Sequence, residues 1–476
     1  MLAPLNPRLW SPTHAAHLLN RAGFGGTSEE IGALYRLGMK EAVESLLAGA
    51  QDDMPPEEPP AYARPRNLQK ERREREHLSR EEKLVLRRAA QKRERKAYLQ
   101  LTGEWLRQMR ESQTPLREKL ALFWHGHFAT SQVKVRPVFY LWTQKETFRR
   151  LALSDLSTMA KAMLCDPAML VWLDGSNSRA GKPNENFARE AMELFTLGEG
   201  NYTEQDVAEA ARAFTGYRIN PVTQRFRFVP RQHDSGEKTI LGNRGCWKGE
   251  EVIDLLCAQP ACAEFMAWKF LRYFVSDEPS PAWRQAVAGA LAGEKMATGP
   301  MLRRLFSSAA FYEERHGQIK APVEWLVQCL KVLDVPQPPY DRTQNLLEQL
   351  GQALYRPPNV KGWEGGKSWI TTSTLLARYN IAGKLLGIGG DLRGKGKKKR
   401  GRRKGLPGLL SRIPERALSS ENALVQYFAS ALFQEPCSGE ALAAWCDSLK
   451  EKPLQSDAVQ RQLLHLMMST PEFQLI

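Results

Sequence analysis

Apolar residues recur at helical spacing along most of this chain, and short turn segments separate the stretches that show it. One stretch begins after Asn184, a residue type that caps helix starts, and stops before Gly198, a type that ends helices. Phe187, Ala191 and Leu194 form an apolar row within it. The spacing predicts helices over residues 12–23, 28–38, 39–49, 66–110, 115 onward, 137–152, 155–165, 185–197, 204–214, 249–258, 261–275, 281–292, 299–309, 321–333, 341–353, 371–387, 420–434, 437–450 and 456–469.

Residues 217–229 alternate apolar and polar positions on both sides of a short turn, which predicts one small β-hairpin. We therefore expect an all-α fold: a large multi-helix domain with one small β-hairpin, a long charged helix and a disordered basic loop. The expected organisation is N-terminal helices of the main domain over 1–50, a proline-rich linker and charged helix over 51–110, the main helical domain over 111–390, the basic loop over 391–408 and C-terminal helices over 409–476.

The formal net charge of +15 belongs to two local segments of the chain. Residues 66–96 hold 13 Lys and Arg against 6 Glu, and residues 391–404 hold 9 Lys and Arg against 1 Asp. The second segment has no aromatic residue, so base stacking is not expected, and neither is specific nucleic-acid recognition. It is a candidate site for a polyanion or a protein partner.

Composition also bears on the compartment. No run of about 18 apolar residues occurs, so no transmembrane segment is predicted. The first residues lack the charged start and apolar centre of a signal peptide. The seven cysteines are scattered, odd in number and without a Cys-x-x-Cys pair, which is typical of a reducing compartment. These features predict a cytoplasmic protein without disulfides.

Five ordered motifs stand out, and two weaker ones accompany them. The five are His17–Gly25, Phe123–Phe128, Lys182–Gly198, Tyr202–Tyr217 and Tyr355–Trp363, and the weaker two are His233–Thr239 and Ile319–Trp325. Together they resemble the bacterial family catalogued as domain of unknown function 1800, over about residues 12–385. The resemblance implies no activity, because the family has none established. Many members of that family look like exported proteins, so we expect either that this chain departs from them or that its start is truncated.

His125 and His127 flank Gly126 and form the sharpest chemical pattern. If a helix ends at Gly126, both imidazoles can enter one pocket, where such a pair commonly binds zinc, manganese or iron together with carboxylates. Candidates for the added ligands are Glu190, Glu193, His233 and Asp234. The alternative is that both histidines are structural and hydrogen-bond to backbone groups at a helix end.

Polar residues also mark two predicted helices. His17 and Arg21 share a face of the first helix, ahead of a glycine turn. They either bind an anion, or Arg21 closes an internal ion pair with one of the two glutamates above. Asn186 and Arg189 join those glutamates in a polar stripe on an otherwise apolar helix. The stripe either faces a site or closes a buried ion-pair network.

Two loops carry further candidates. His233 and Asp234 follow the predicted hairpin and offer acid–base groups, although loops are often simply polar. Asn359 and Trp363 belong to a proline-rich loop. Trp363 either stacks on a sugar ring or another flat ligand, or docks the loop into the core.

Two functional hypotheses follow. In the first, the protein is a metal-assisted, hydrolase-like enzyme: the histidine pair and the two glutamates hold a divalent cation, His233 or Asp234 moves protons, and Arg21 holds an anionic group. In the second, it is a non-catalytic helical scaffold that docks a partner through its charged helix and basic loop. The enzyme hypothesis predicts that the five motifs converge on one concave pocket, whereas the scaffold hypothesis predicts that they disperse through the core.

Overall fold

The computed structural model describes residues 1–50, 57–389, 407–433 and 437–476. Helices dominate these residues, which confirms the all-α prediction. The α-helices are α1 (Pro12–Ala22), α2 (Ser28–Leu37), α3 (Met39–Ala50), α4 (Leu68–Glu76), α5 (Arg80–Glu111), α6 (Pro115–His127), α7 (Val138–Arg150), α8 (Leu156–Leu164), α9 (Pro167–Trp172), α10 (Glu185–Glu190), α11 (Glu204–Ala213), α12 (Gly249–Cys257), α13 (Pro260–Phe274), α14 (Pro281–Gly293), α15 (Thr298–Phe306), α16 (Ala309–Glu313), α17 (Pro322–Val332), α18 (Tyr340–Leu350), α19 (Thr372–Leu385), α20 (Gly408–Ser411), α21 (Glu421–Leu432), α22 (Gly439–Asp447), α23 (Asp457–Met468) and α24 (Pro471–Gln474). A π-helix, Ala191–Thr196, continues α10.

Within the described residues, four short strands form two antiparallel hairpins: β1 (Tyr217–Ile219) pairs with β2 (Phe226–Phe228), and β3 (Lys238–Ile240) pairs with β4 (Asn243–Gly245). The first is the predicted hairpin. The prediction of a single hairpin is wrong, because β3 and β4 are only three residues each and show no readable alternation. The turn at 241–242 has positive φ at both residues, as a tight hairpin turn requires.

Capping side chains explain where helices begin and end. Asn184 caps α10 by accepting a hydrogen bond at 3.0 Å from the backbone two residues on, and Gly198 has φ 79° after the π-helix. The single helix predicted over 66–110 is two helices. The Ser79 hydroxyl accepts from the Glu82 N–H at 3.2 Å, and the Glu82 carboxylate accepts from the Ser79 N–H at 2.8 Å, so a new helix starts there.

The buried core runs through most of the helices, and its largest fully buried side chains include Trp105, Trp124, Trp283 and Trp325. Only the second half of α5 joins this core, since residues 80–89 are exposed, as predicted for the charged helix. No helix in the described part of the chain is long and apolar enough to cross a membrane. Much of the predicted linker and basic loop, residues 51–56 and 390–406, lies outside the described residues.

Candidate functional site

A cavity of about 990 Å³ lies between α6, the π-helix, α13 and the loops before α17 and after α18. Gln352 lines it together with residues drawn from 122–127, 193–201, 261–278, 318–324 and 361–369. Three of these segments overlap the five motifs that stood out in the sequence, and a fourth overlaps the weaker motif Ile319–Trp325. The cavity therefore joins parts of the chain that are distant in sequence.

Helix α13 has one face in the core and one face on the cavity. The core face consists of Cys262, Ala263, Met266, Ala267, Phe270, Leu271 and Phe274. The cavity face consists of Ala261, Glu264, Phe265, Trp268, Lys269, Arg272 and Tyr273. Each set recurs at the helical period, so the helix places its whole second stripe along the cavity.

Helix α6 continues through Gly126 to His127, so the expectation that it ends at Gly126 is wrong. Two successive helical steps turn the side chains of His125 and His127 by about 200° relative to each other. His125 Nε2 accepts a hydrogen bond from the Tyr355 N–H at 3.0 Å, away from the cavity. His127 lines the cavity, and its Nε2 lies 3.1 Å from the Phe195 carbonyl oxygen.

Burial keeps both imidazoles neutral: it lowers the pKa of His125 to about 3 and the pKa of His127 well below its usual value. Because a carbonyl oxygen only accepts, His127 Nε2 donates to it, and Nδ1 carries the lone pair. Nδ1 of His127 has no hydrogen-bond partner among the described residues. This nitrogen is therefore a buried hydrogen-bond acceptor on a side chain that lines the cavity.

The loop after α18 packs against the end of α6. Gly362 has φ 82°, and a Cβ at that position would overlap the carbonyl oxygen of Gly126. The ring of Trp363 lines the cavity and lies 5.6 Å from the ring of His125. Asn359 shapes the turn, since its Oδ1 accepts from the Lys361 N–H at 2.9 Å. Trp363 therefore lies at the candidate site, and Asn359 supports the loop.

The π-helix carries Glu193 to the cavity. Thr196 Oγ1 donates to the Ala191 carbonyl, five residues earlier, at 2.6 Å. π-Helical turns often occur at functional sites. Glu193 accepts from the Tyr202 hydroxyl at 3.0 Å and lies 3.8 Å from Lys361 Nζ. Tyr202, the first residue of another sequence motif, therefore contacts a residue of the cavity.

The rest of the predicted polar stripe lies elsewhere. Glu190 is half-buried outside the cavity lining, and burial, followed by the charge of Glu193, raises its pKa. Asn186 is exposed. Arg189 forms an exposed ion pair with Glu204 at 2.7 Å. The stripe is thus divided between the cavity and the surface.

The amine of Lys269 lies against two aromatic rings. Its Nζ lies 5.2 Å from the ring centroid of Phe265 and 5.7 Å from that of Trp268. Within the described ranges its amine has no ion pair or hydrogen bond. Burial, and then the charges of Arg272 and Lys361, lower the pKa of Lys269 to about 8.

Arg272 and Asp277 lie beside it. Arg272 donates from Nε to the Asp277 carbonyl at 3.2 Å and from Nη2 to the Glu364 carbonyl at 3.2 Å. The Asp277 carboxylate accepts from the Ile319 N–H at 3.0 Å. Burial raises the pKa of Asp277 in spite of that hydrogen bond. The cavity thus holds a carboxyl whose pKa is higher than that of an ordinary aspartate side chain.

A buried ion pair lies next to the cavity. Lys119, 1% exposed, pairs with Glu324, which lines the cavity. Burial lowers the pKa of Lys119, and the carboxylate of Glu324 opposes that shift. The Lys119 amine also lies 5.3 Å from the ring centroid of Tyr273. The pair joins α6 to α17.

Arg21 supports the cavity wall from behind. Its guanidinium donates to the carbonyls of Glu314 at 3.0 Å and Ile476 at 2.8 Å, and to the side chain of Gln318, which lines the cavity. His17 packs edge-on against Phe311, with 4.8 Å between the ring centroids, and is outside the cavity lining. Arg21 is thus a positioning residue here.

His233 and Asp234 lie in a separate polar cluster after β2. Asp234 accepts from Arg212 Nε at 2.9 Å, and this hydrogen bond lowers the pKa of Asp234. His233 Nδ1 lies 3.0 Å from the carbonyl oxygen of Thr215. Neither residue is in the cavity lining, so the structure does not bring them to the other candidates.

The four predicted metal ligands do not assemble into a metal-binding group. Across the part of the chain that the structure describes, no group of three or more His, Cys, Asp or Glu side chains is arranged to hold a metal ion. His125 faces Tyr355, and Glu190 is outside the cavity lining. A divalent cation at these residues stays a prediction that this geometry does not favour.

Lys269, Arg272 and Asp277 are site residues that the sequence reasoning missed. The available signal was in α13, where Phe265 and Trp268 lie on the polar face of a helix whose other face is already apolar. Large aromatic residues on a polar face indicate a covered surface or a ligand site.

A family model described as "Protein of unknown function (DUF1800)" matches residues 17–475, nearly the whole chain. The match agrees with the resemblance of the sequence motifs. No curated protein and no solved structure matches the chain. Because the family description names no activity, function has to be argued from the site.

Proposed function

Because the chain belongs to the DUF1800 family, whose description assigns no activity, we propose a function from the cavity itself. The protein is a hydrolase-type enzyme that uses acid–base chemistry on a sugar-like substrate. One observation carries the proposal: aromatic and titratable side chains from five separate segments line the same cavity. A pocket with a few convergent polar groups and shifted pKa values is the usual setting of an active site.

The lining favours a substrate with flat, partly apolar faces and many hydroxyls. Trp268, Trp363 and Trp369 line the cavity and provide broad aromatic surfaces. Carboxylates such as Glu193 lie among them and can accept hydrogen bonds from hydroxyls. Sugar rings present both kinds of surface.

The acid–base roles follow from the two carboxyl groups. Asp277, whose pKa is raised by burial, donates its proton to the leaving oxygen as the bond from that oxygen to carbon breaks. A water oxygen bonds to the same carbon, and Glu193 takes the proton from that water. No step is assigned to a metal, because the predicted ligands do not form a metal-binding group.

Hydrolysis of chromogenic glycosides and esters tests this proposal. We expect wild-type protein to release the chromophore from at least one substrate, and Asp277→Asn to lower the rate about a hundredfold or more, since it removes the proton donor. Glu278→Gln is the matched control: its carboxylate is the next residue and is exposed, 2.8 Å from Lys367. Equal rates for wild type and Asp277→Asn, or no release at all, contradict the proposal.

A second candidate function is docking of an acidic partner through the exposed half of α5. Leu84, Val85 and Leu86 are 47%, 64% and 42% exposed on a segment rich in Lys and Arg. A surface that combines exposed apolar residues with basic ones favours the binding of an anionic partner. Elution from heparin tests this: Arg87→Glu with Arg88→Glu should elute at clearly lower salt than wild type, and unchanged elution contradicts it.

A further inference from the structure

We infer that the cavity recognises an anionic group on its ligand, a carboxylate or a phosphate, through Lys269 and Arg272. The inference rests on the proposed function in that it takes this cavity as the substrate site. It narrows the substrate class from sugars in general to sugars that carry a negative charge.

These two cations lack the carboxylate partners that the other cavity cations have. Lys361 lies 3.3 Å from Glu199, and Lys367 lies 2.8 Å from Glu278. Lys269 has no ion pair in the described structure, and Arg272 donates only to backbone carbonyls there. A charge withdrawn from water without a counter-charge is costly, so an anion is the missing partner.

None of the cavity carboxylates forms an ion pair with Lys269 or Arg272 in the described structure, although the charge of Arg272 acts on the Asp277 carboxyl and opposes the rise of its pKa. Glu324 is paired with Lys119, and Glu278 with Lys367. Glu193 is bonded to the Tyr202 hydroxyl. The remaining glutamates of the lining, Glu264 and Glu364, are exposed and form no ion pair in the described structure. Neither Lys269 nor Arg272 therefore has a carboxylate within ion-pair distance in the described structure.

The geometry also holds the two groups in place. They are three residues apart on α13 and share its cavity face. Two backbone carbonyls fix the Arg272 guanidinium, which lies 5.0 Å from the ring centroid of Trp268. Its Nη1 donors make no hydrogen bond to described residues and remain for a ligand. Fixed guanidinium donors beside an amine suit the oxygens of carboxylate and phosphate.

Titration calorimetry with D-glucuronate, D-glucose 6-phosphate and D-glucose tests the inference. We expect at least one acidic sugar to bind about tenfold or more tightly than D-glucose, since charged hydrogen bonds add that much. Lys269→Gln and Arg272→Gln should each remove this preference, while Lys269→Arg should retain most of it. The two acidic sugars report whether carboxylate or phosphate fits better.

Lys367→Gln is the control, because Lys367 also lines the cavity but has its own ion pair. The inference is overturned if acidic and neutral sugars bind equally, if neither acidic sugar binds, or if Lys367→Gln weakens binding as much as Lys269→Gln. Circular dichroism checks that each variant is folded. Asp277→Asn separates the two proposals, because it should keep the binding of acidic sugars while it lowers turnover. If wild type binds acidic sugars but shows no turnover, anion recognition is supported and the hydrolase is contradicted.

Discussion

Lys269 has its amine in surroundings that disfavour the protonated form. The rings of Phe265 and Trp268 replace water on two sides, and Arg272 and Lys361 add repulsion from the same cavity. His127, which faces this amine from α6, is neutral because its own pKa is strongly lowered. A bound anion relieves both the lost hydration and the repulsion, so the pKa of Lys269 and the proposed ligand charge are linked.

The first prediction concerns this titration. Since the pKa of Lys269 is about 8, its neutral, reactive form grows as pH rises through 8, whereas Lys367, with a pKa raised by Glu278, stays protonated. At pH 8 we expect acetic anhydride in trace amounts to acetylate Lys269 at least about tenfold faster than Lys367. Mass spectrometry of the labelled peptides between pH 6 and about 11 measures both rates. Anion binding through Lys269 should be complete below its pKa and decline above it.

Glu278→Gln is the control for that measurement. It should move the titration of Lys367 to lower pH, because it removes the hydrogen bond that raises that pKa, and should leave Lys269 unchanged. Identical midpoints for the two lysines in wild type contradict the prediction.

At the scale of elements, the sequence predicted most of the helices well, because helical periodicity and caps are local properties. The observed α13, Pro260–Phe274, is close to the predicted 261–275. The π-helix was not predicted, since residues 191–196 carry the same apolar pattern that an α-helix would carry. Periodicity also shows only that one face of α13 is polar. That this face lines a cavity depends on the packing of distant segments.

The contact between α6 and the loop after α18 gives the second prediction. Gly362→Ala forces a side chain into the Gly126 carbonyl at a positive φ, so we expect it to lower the free energy of unfolding by about 2–4 kcal/mol. Gly126→Ala is the matched change in α6: no neighbouring atom lies within 4 Å of its Cβ, and alanine favours helix by about 0.5–1 kcal/mol. Urea denaturation of both variants measures the two effects. Similar stabilities for the two contradict this account.

At the scale of the whole molecule, three of the residues that the sequence singled out, His127, Glu193 and Trp363, line the same cavity, whereas the sequence did not single out their neighbours there. His125 looked equivalent to His127 and is directed elsewhere, because α6 does not end between them. Asp277 lies in none of the sequence motifs, because the group that hydrogen-bonds its carboxylate, the Ile319 N–H, is 42 residues away in the chain. Local patterns identify polar residues in apolar surroundings, whereas long-range packing decides which of them meet.

Arg21 connects the most distant parts of the chain, and the last prediction concerns it. Its guanidinium, 1% exposed, joins α1 to the Glu314 and Ile476 carbonyls and to Gln318 in the cavity wall. Arg21→Lys keeps the charge but cannot reach these acceptors together, so we expect a loss of about 1–3 kcal/mol in the free energy of unfolding. Urea denaturation measures it, with exposed Arg8→Lys as the control. If Arg21 only positions the wall, its variant should bind acidic sugars more weakly yet keep their preference over D-glucose; loss of that preference would instead make Arg21 part of the anion site.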